Sequence, residues 1–157
     1  DLRCVVALAA EGEKDIGSTE AMTHTAKTSP YFDPWIADVE RSLAEARAAI
    51  LARDFDRIAQ LAEASCLRMH ASALAADPGI LYWKGATVEL IHAVRAMRKR
   101  GTPAFFTIDA GPHVKVFCTP DSEAKIASEL GQMPGVLDVL TTRPGLGVRV
   151  MEHTPTR

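Results

Sequence analysis

Two apolar runs separated by a short turn constrain the fold more than any other feature of the sequence. Residues 104–108 and 114–118 are rich in β-branched and aromatic side chains, and the turn between them contains Gly111-Pro112. Such runs predict two strands, and so short a connection joins antiparallel neighbours. Asp109 follows the first strand directly. Because a carboxylate at the edge of a core is costly unless it is paired, hydrated or used, this turn is the first candidate for a functional site.

Helical periodicity accounts for most of the remaining chain. Apolar residues recur at steps of three or four after Pro34 and again after Asp54, which predicts two Ala-rich helices packed on one another. Ser18 and Asp54 are suited to cap their helices, and Asp33-Pro34 resembles a cap followed by a first-turn proline. Three more helices are predicted: one begins at Ser18, one runs from Gly85 to Gly101, and one begins at Thr119-Pro120.

Further apolar runs at the two ends of the sequence complete the predicted sheet. Leu2–Ala10 is typical of a mostly buried strand, and Val136–Leu140 with Val148–Met151 predict a hairpin. One layer of helices on one layer of antiparallel strands predicts an α+β two-layer sandwich, and 157 residues suit a single domain. Since the first run follows no initiator Met and no polar arm, we expect the chain to begin inside a larger fold.

Composition excludes several classes of partner. The formal net charge of −2 argues against nucleic-acid binding, and no apolar run approaches the roughly 20 residues that span a membrane. Cys4, Cys66 and Cys118 are far apart and form no CxxC pair. We therefore expect reduced thiols on core-facing elements and a cytoplasmic setting.

The histidines and the main basic cluster have simple structural interpretations. The five histidines show no metal-ligand spacing, so we expect no metal site built from this chain alone. His70 lies on an Ala-rich helix and is interpreted as a packing residue. The cations between Arg95 and Arg100 fall in the last turns of a predicted helix, where they complement the helix dipole and are expected to be solvated.

Two groups of residues remain candidates for chemistry. Asp109 is either a turn aspartate that accepts nearby amides or a general base that orients a hydroxyl group. Gly111 allows a ligand to approach the backbone closely. Ser18 and Thr19 either cap a helix or hold an anion at its start, where amides and hydroxyl groups offer donors to phosphate oxygens.

Considered together, four segments resemble the mevalonate diphosphate decarboxylases, a family within the GHMP kinase superfamily. The resemblance covers nearly the whole chain, most firmly residues 2–118, and implies the α+β fold of a GHMP kinase C-terminal domain. The segments, in the order of the family, are Gly17–Met22, Glu63–Ala71, Pro78–Tyr82 and Phe106–Val116.

The resemblance assigns roles to the candidate residues. Asp109 occupies the place of the catalytic aspartate that faces the tertiary 3-hydroxyl of mevalonate 5-diphosphate, which the family phosphorylates and decarboxylates to isopentenyl diphosphate. Ser18 and Thr19 correspond to the segment that contacts the substrate diphosphate, and Ala110 and Gly111 are implied as substrate contacts. No metal ligand is implied within this chain.

The family binds ATP and Mg²⁺ mainly through an N-terminal domain whose Ser/Gly-rich loop is not found in this sequence. The resemblance therefore implies that residues 1–157 are the C-terminal half of an ATP-dependent decarboxylase. We expect this half to require the N-terminal half as its partner and to be inactive alone. The surface that the partner would cover is expected to be apolar, which makes a homodimer a further expectation.

Departures from the family pattern leave alternatives open. His113 stands where the family usually has Asn, and Ala21 replaces a usual Gly. Gly17-Ser18 stands where Ser-Ser is common, and Thr19 where some bacterial relatives place an arginine. A phosphomevalonate decarboxylase, which acts on a monophosphate, is one alternative. A non-catalytic interaction module with the same fold is the other, since fold does not dictate function.

Overall fold

The computed structural model describes residues 1–12 and 16–148. Within these residues the chain forms four strands and five α-helices, with one short 3₁₀ turn at Pro120–Ser122. In chain order the elements are β1 (Arg3–Leu8), α1 (Ser18–Thr28), α2 (Phe32–Ala52), α3 (Phe55–Leu74), α4 (Gly85–Lys99), β2 (Ala104–Thr107), β3 (Val114–Cys118), α5 (Glu123–Gly131) and β4 (Asp138–Thr142).

The four strands form one antiparallel sheet in the order β2-β3-β1-β4. The predicted hairpin of β2 and β3 is confirmed, with Phe106 opposite Val116 and Thr107 opposite Lys115. Helices α3 and α4 pack on β2, and α5 packs on β1 and β4, while α2 packs on α3. The predicted α+β sandwich of helices on an antiparallel sheet is therefore confirmed.

Alternation along the strands places the core between the sheet and the helices. Val5 and Ala7 of β1 are fully buried, as are Val114 and Val116 of β3, while the residues between them are partly exposed. This pattern is typical of a sheet with one covered face. The three cysteines are free and buried, as the sequence predicts. No helix in the described part of the chain has the length and apolar character needed to cross a bilayer.

The first strand of the predicted C-terminal hairpin joins the main sheet as β4. Strand β4 is shifted along the sequence from the predicted Val136–Leu140, and it pairs with β1, where Leu140 lies opposite Val6. Val148 belongs to no strand, and the rest of the predicted second strand lies outside the described residues. Strand β4 pairs with the edge of β1 that does not face β3, because the backbone groups along that edge would otherwise have no partner.

Two of the three predicted helix caps are also corrected. Ser18 is the first residue of α1, and Gly17 occupies the cap position. Helix α2 begins at Phe32, so Asp33 lies in its first turn, where a carboxylate still complements the helix dipole. Pro34 fits there because first-turn amides have no partner within the helix. The Asp54 cap is confirmed, since its side chain accepts a 3.0 Å hydrogen bond from the Arg57 amide.

Arg98 departs from the prediction that its basic cluster is a solvated helix end. Its guanidinium donates two hydrogen bonds to Glu63, of 2.7 and 3.0 Å, and one of 3.0 Å to the Ala104 carbonyl. Glu63, which is only 7% exposed, also accepts the Phe106 amide at 3.3 Å. The Arg98 side chain is long enough to reach the sheet from the end of α4, so it joins α3, α4 and β2.

We predict that Glu63→Ala lowers the free energy of unfolding by about 2 kcal/mol, because it leaves a buried amide and a guanidinium without their acceptor. Glu129→Ala is the matched control, since Glu129 also pairs with an arginine, Arg100, but at the surface. Exposed pairs contribute less than about 1 kcal/mol. Urea denaturation of both variants measures the difference, and equal losses would contradict the prediction.

Candidate active site

The backbone of Ile108 is held by side chains of helix α3. Strand β2 ends at Thr107, so Ile108 lies just beyond the paired part of the sheet. Its amide donates to Cys66 Sγ at 3.2 Å, and its carbonyl accepts from His70 Nε2 at 3.1 Å and from Cys66 Sγ at 3.6 Å. The polar groups of this buried residue are thereby satisfied, as burial requires. Asp109 is the next residue, so these hydrogen bonds from α3 fix the position of the backbone that leads into Asp109.

The hydrogen bond to Ile108 determines which ring nitrogen of His70 is the donor. Because the Ile108 carbonyl only accepts, the Nε2 atom carries the proton. The imidazole is 2% exposed and packs against Trp83, with ring centroids 4.9 Å apart, and against Tyr82 at 6.2 Å. Burial lowers the pKa of His70, while hydrogen bonds to the backbone of Ile108 and Asp109 partly oppose this change. The packing role predicted for His70 is confirmed, with a hydrogen bond in addition.

The other end of the turn is anchored separately. Thr87, which is fully buried at the start of α4, donates to the Pro112 carbonyl at 2.8 Å and accepts the Lys84 amide at 3.1 Å. His113 Nδ1 accepts the Ala9 amide at 3.2 Å. The turn that carries Asp109 is therefore bound to α4 and to the end of β1, and His113 supplies an acceptor that an asparagine oxygen would also offer.

Asp109 and Ser18, distant in the sequence, face the same cleft. The cleft has a volume of about 230 Å³ and is lined by Ser18, Ala21, Met22, Thr25, Met69, Ala73, Tyr82, Asp109 and Ala110. The Asp109 side chain is 77% exposed and pairs with Lys115 of β3. The cleft therefore brings a mostly exposed carboxylate and the N-terminus of a helix together beside mostly apolar walls.

The cleft brings together three of the five residues that the sequence singled out. Ala110 lines it next to Asp109, and Ser18 lines it from the first turn of α1. Thr19 is exposed in that same turn, where its carbonyl accepts the Thr23 hydroxyl at 2.9 Å, and it does not line the cleft. Gly111 does not line it either; its amide bonds to the Asp109 carbonyl at 2.7 Å and closes the turn.

Tyr82 separates this cleft from a larger one of about 600 Å³. The larger cleft is lined by charged and titratable side chains together with apolar ones, among them Glu11, Glu20, His24, Lys84 and His113. Tyr82 lines both clefts, and its buried hydroxyl has no hydrogen-bond partner among the described residues. Burial raises the pKa of Tyr82.

Sequence reasoning missed Lys115 and Tyr82 as members of the site. The signal for Lys115 is its position in β3, where it lies opposite Thr107 of β2. Asp109 comes two residues after Thr107. Two residues along an extended chain return the side chain to the same face, which brings Asp109 within reach of Lys115. No local pattern marks Tyr82, because its place between two clefts depends on the loop before α4.

Known decarboxylases share this fold and carry the same arrangement of elements. A structure described as MDDEF in complex with MVAPP superimposes with a TM-score of 0.88 at 32% identity, covering 97% of this chain and 48% of that one. Mevalonate diphosphate decarboxylase from Staphylococcus aureus gives a TM-score of 0.83 at 30% identity, over 90% of this chain and 43% of that one. The fold is therefore that of the C-terminal part of a decarboxylase.

Sequence relatives identify the family. Residues 4–143 match the family model of the mevalonate 5-diphosphate decarboxylase C-terminal domain. The diphosphomevalonate decarboxylase of Candida albicans is 32% identical over 139 residues, which are 85% of this chain and 38% of the relative. The human enzyme is 29% identical over 86% of this chain and 35% of its own length. The chain belongs to the mevalonate 5-diphosphate decarboxylase family and spans little more than a third of these two relatives.

We predict that His70 makes the stability of the fold depend on pH. A pKa below the ordinary value of 6.5 means that the folded chain binds fewer protons than the unfolded chain below that pH. The contribution of His70 is therefore complete above about pH 6.5 and is lost as the pH falls toward the folded-state pKa. The difference in unfolding free energy between the wild type and His70→Gln should narrow between pH 7 and pH 5. A difference that is independent of pH would contradict this.

Proposed function

We propose that this chain forms the side of a mevalonate 5-diphosphate decarboxylase active site that activates the substrate's alcohol. The observation that carries the proposal is the shared cleft of Asp109 and Ser18, which places a carboxylate close to the start of a helix. Related structures hold MVAPP alone or MVAPP with AMPPCP and magnesium, which supports a phosphorylated substrate and use of ATP.

In the proposed mechanism Asp109 acts on the 3-hydroxyl group. Its carboxylate accepts the hydroxyl proton while the oxygen forms a bond to the γ-phosphorus of ATP and ADP leaves. Loss of the new phosphate group from the carbon, together with loss of CO₂, gives isopentenyl diphosphate. Lys115, which pairs with the carboxylate, restrains its orientation before the substrate binds.

The start of helix α1 is the proposed site for the substrate's phosphate groups. The first amides of a helix have no partner within it, and the helix dipole favours an anion there. A side chain added at Gly17 would meet no atom within 4 Å, so the approach to these amides is open. In this proposal Ser18 and Thr19 contact the phosphate oxygens, and Ala110 and Gly111 bound the substrate near Asp109.

ATP and Mg²⁺ are assigned to a different part of the enzyme. Among residues 1–12 and 16–148, no three His, Cys, Asp or Glu side chains converge, so these residues form no metal cage made of protein ligands alone. We propose that residues 1–157 are the C-terminal half and that an N-terminal half binds both groups. The chain alone is then expected to show no ATP-dependent release of CO₂.

A monophosphate substrate is the second candidate. The phosphomevalonate decarboxylase of Haloferax volcanii is 30% identical over 104 residues, which are 66% of this chain and 32% of the relative. Thr19 is uncharged, so the helix start provides fewer charges for a second phosphate than an arginine would. Comparing mevalonate 5-phosphate with mevalonate 5-diphosphate as substrates of the complete enzyme decides between the two.

Self-association remains a proposal as well. Helix α2 exposes several large apolar side chains, including Leu43, Ile50 and Leu51. Apolar surface of this kind favours contact with another protein or a second copy. Light scattering that shows a monomer at high concentration would contradict a homodimer.

We predict that Asp109→Asn in the complete enzyme lowers kcat by about 10²–10⁴-fold, because the amide cannot accept the hydroxyl proton. The free energy of unfolding should change little, since the carboxylate is mostly exposed. Asp138→Asn on the exposed strand β4 is the matched control and should keep full activity. CO₂ release measures both, and normal turnover of Asp109→Asn would favour the non-catalytic interaction module.

We predict that Ser18→Ala raises KM for mevalonate 5-diphosphate by about 3- to 10-fold, the equivalent of one hydrogen bond to a charged group. Thr19→Ala, one residue further along the same turn, tests whether this second hydroxyl contributes equally. Since only Ser18 lines the cleft, its variant should show the larger change. An unchanged KM in both variants would remove the phosphate site from α1.

A further inference from the structure

We infer that His70 is a positioning residue for Asp109, acting through the hydrogen bond from its Nε2 atom to the Ile108 carbonyl. The inference rests on the proposed function, because it concerns how the carboxylate of that site is held. This role differs from packing alone, because an apolar side chain could fill the same space but could not donate the hydrogen bond.

The first argument is the geometry of the edge strand. Strand β2 is at the edge of the sheet, so its outward-facing backbone groups have no neighbouring strand. Side chains replace that strand at alternate residues: Arg98 bonds to the Ala104 carbonyl, Glu63 to the Phe106 amide, and Cys66 and His70 to Ile108. His70 provides the last and most C-terminal of these contacts, next to Asp109.

The second argument is the choice of residue. A buried imidazole loses its hydration, which is a cost that an aliphatic side chain of similar size avoids. In return it supplies a fixed donor to a carbonyl that would otherwise be left with only the weaker Cys66 Sγ–H contact at 3.6 Å. Trp83 and Tyr82 pack against the ring and limit its rotation. The direction of the donated bond is therefore determined by the packing of α3.

The third argument is that His70 holds the peptide group immediately before Asp109, whereas the contacts beyond Asp109 lie further from it. The far end of the turn is bound through Pro112 and His113, three and four residues away. The near end depends on Ile108, whose peptide group leads directly to Asp109. Loss of the His70 bond lets this peptide rotate and moves the carboxylate, and a displacement of about 1 Å can reduce a rate about 10²-fold.

Three variants of the complete enzyme test the inference. His70→Leu fills the space without a donor, whereas His70→Gln keeps a donor at similar reach. His92→Leu makes the same change at an exposed position of α4 and is the control. We expect His70→Leu to lower kcat by about 10- to 100-fold with KM within about twofold, because substrate binding does not require the carboxylate's exact angle. His70→Gln should restore most of kcat.

The results separate positioning from packing and from failure of the proposed function. Normal kcat in His70→Leu, or a kcat of His70→Gln as low as that of His70→Leu, would overturn the inference. Normal turnover of Asp109→Asn would instead overturn the proposed function. Should His70→Leu fail to fold, His70→Met carries the test, because this flexible apolar side chain also lacks the donor to the Ile108 carbonyl and adapts more easily to the space. It should lower kcat with little change in KM, and an unchanged kcat would overturn the inference.

Discussion

The hydrogen bonds between helix α3 and the edge strand β2 are the interaction on which the rest of the structure depends. Glu63, Cys66 and His70 are spaced at three and four residues, so they lie on one face of the helix. That face meets the outward-facing backbone groups of β2 and of Ile108. An uncovered strand edge would attract another chain, and here a helix covers it with polar side chains. The same contacts extend beyond the strand to the residue before Asp109.

This arrangement links stability and function along a single helix. The N-terminal part of the shared face, at Glu63, binds the sheet and the Arg98 guanidinium and belongs to the core. The C-terminal part, at His70, lies beneath the turn that carries the carboxylate. Met69 and Ala73, on the same stretch of α3, line the cleft itself. A change in how α3 packs on β2 would therefore alter both the fold and the site.

Much of the fold was predictable because its signals are local. The β2–β3 hairpin follows from two apolar runs around a Gly-Pro turn, and the Asp54 cap follows from a side chain that reaches an amide three residues away. The partner of β4 was not predictable, because strand order depends on which edge is free after the core has formed. The first residue of α1 was missed because Gly17 caps the helix by its backbone and leaves no side-chain signal.

The residues of the candidate site also divide into those that a local sequence signal predicts and those that depend on the tertiary fold. Asp109, Ser18 and Ala110 were found from a turn, a helix start and a family resemblance, and the fold places all three on one cleft. Lys115 and Tyr82 were missed, since their contacts depend on register across the sheet and on the course of a loop. Arg98 was misjudged as solvated because its acceptors, Glu63 and the Ala104 carbonyl, come from two other elements.

The most direct measurement is a crystal structure of the complete protein with the proposed substrate, mevalonate 5-diphosphate, bound. We predict that the substrate occupies the cleft between Asp109 and the start of α1, with a carboxylate oxygen roughly 2.6–3.2 Å from the 3-hydroxyl oxygen. Its phosphate groups should lie at the first turn of α1. A substrate bound elsewhere, with Asp109 still paired only with Lys115, would contradict the assignment of Asp109 as the residue that activates the alcohol.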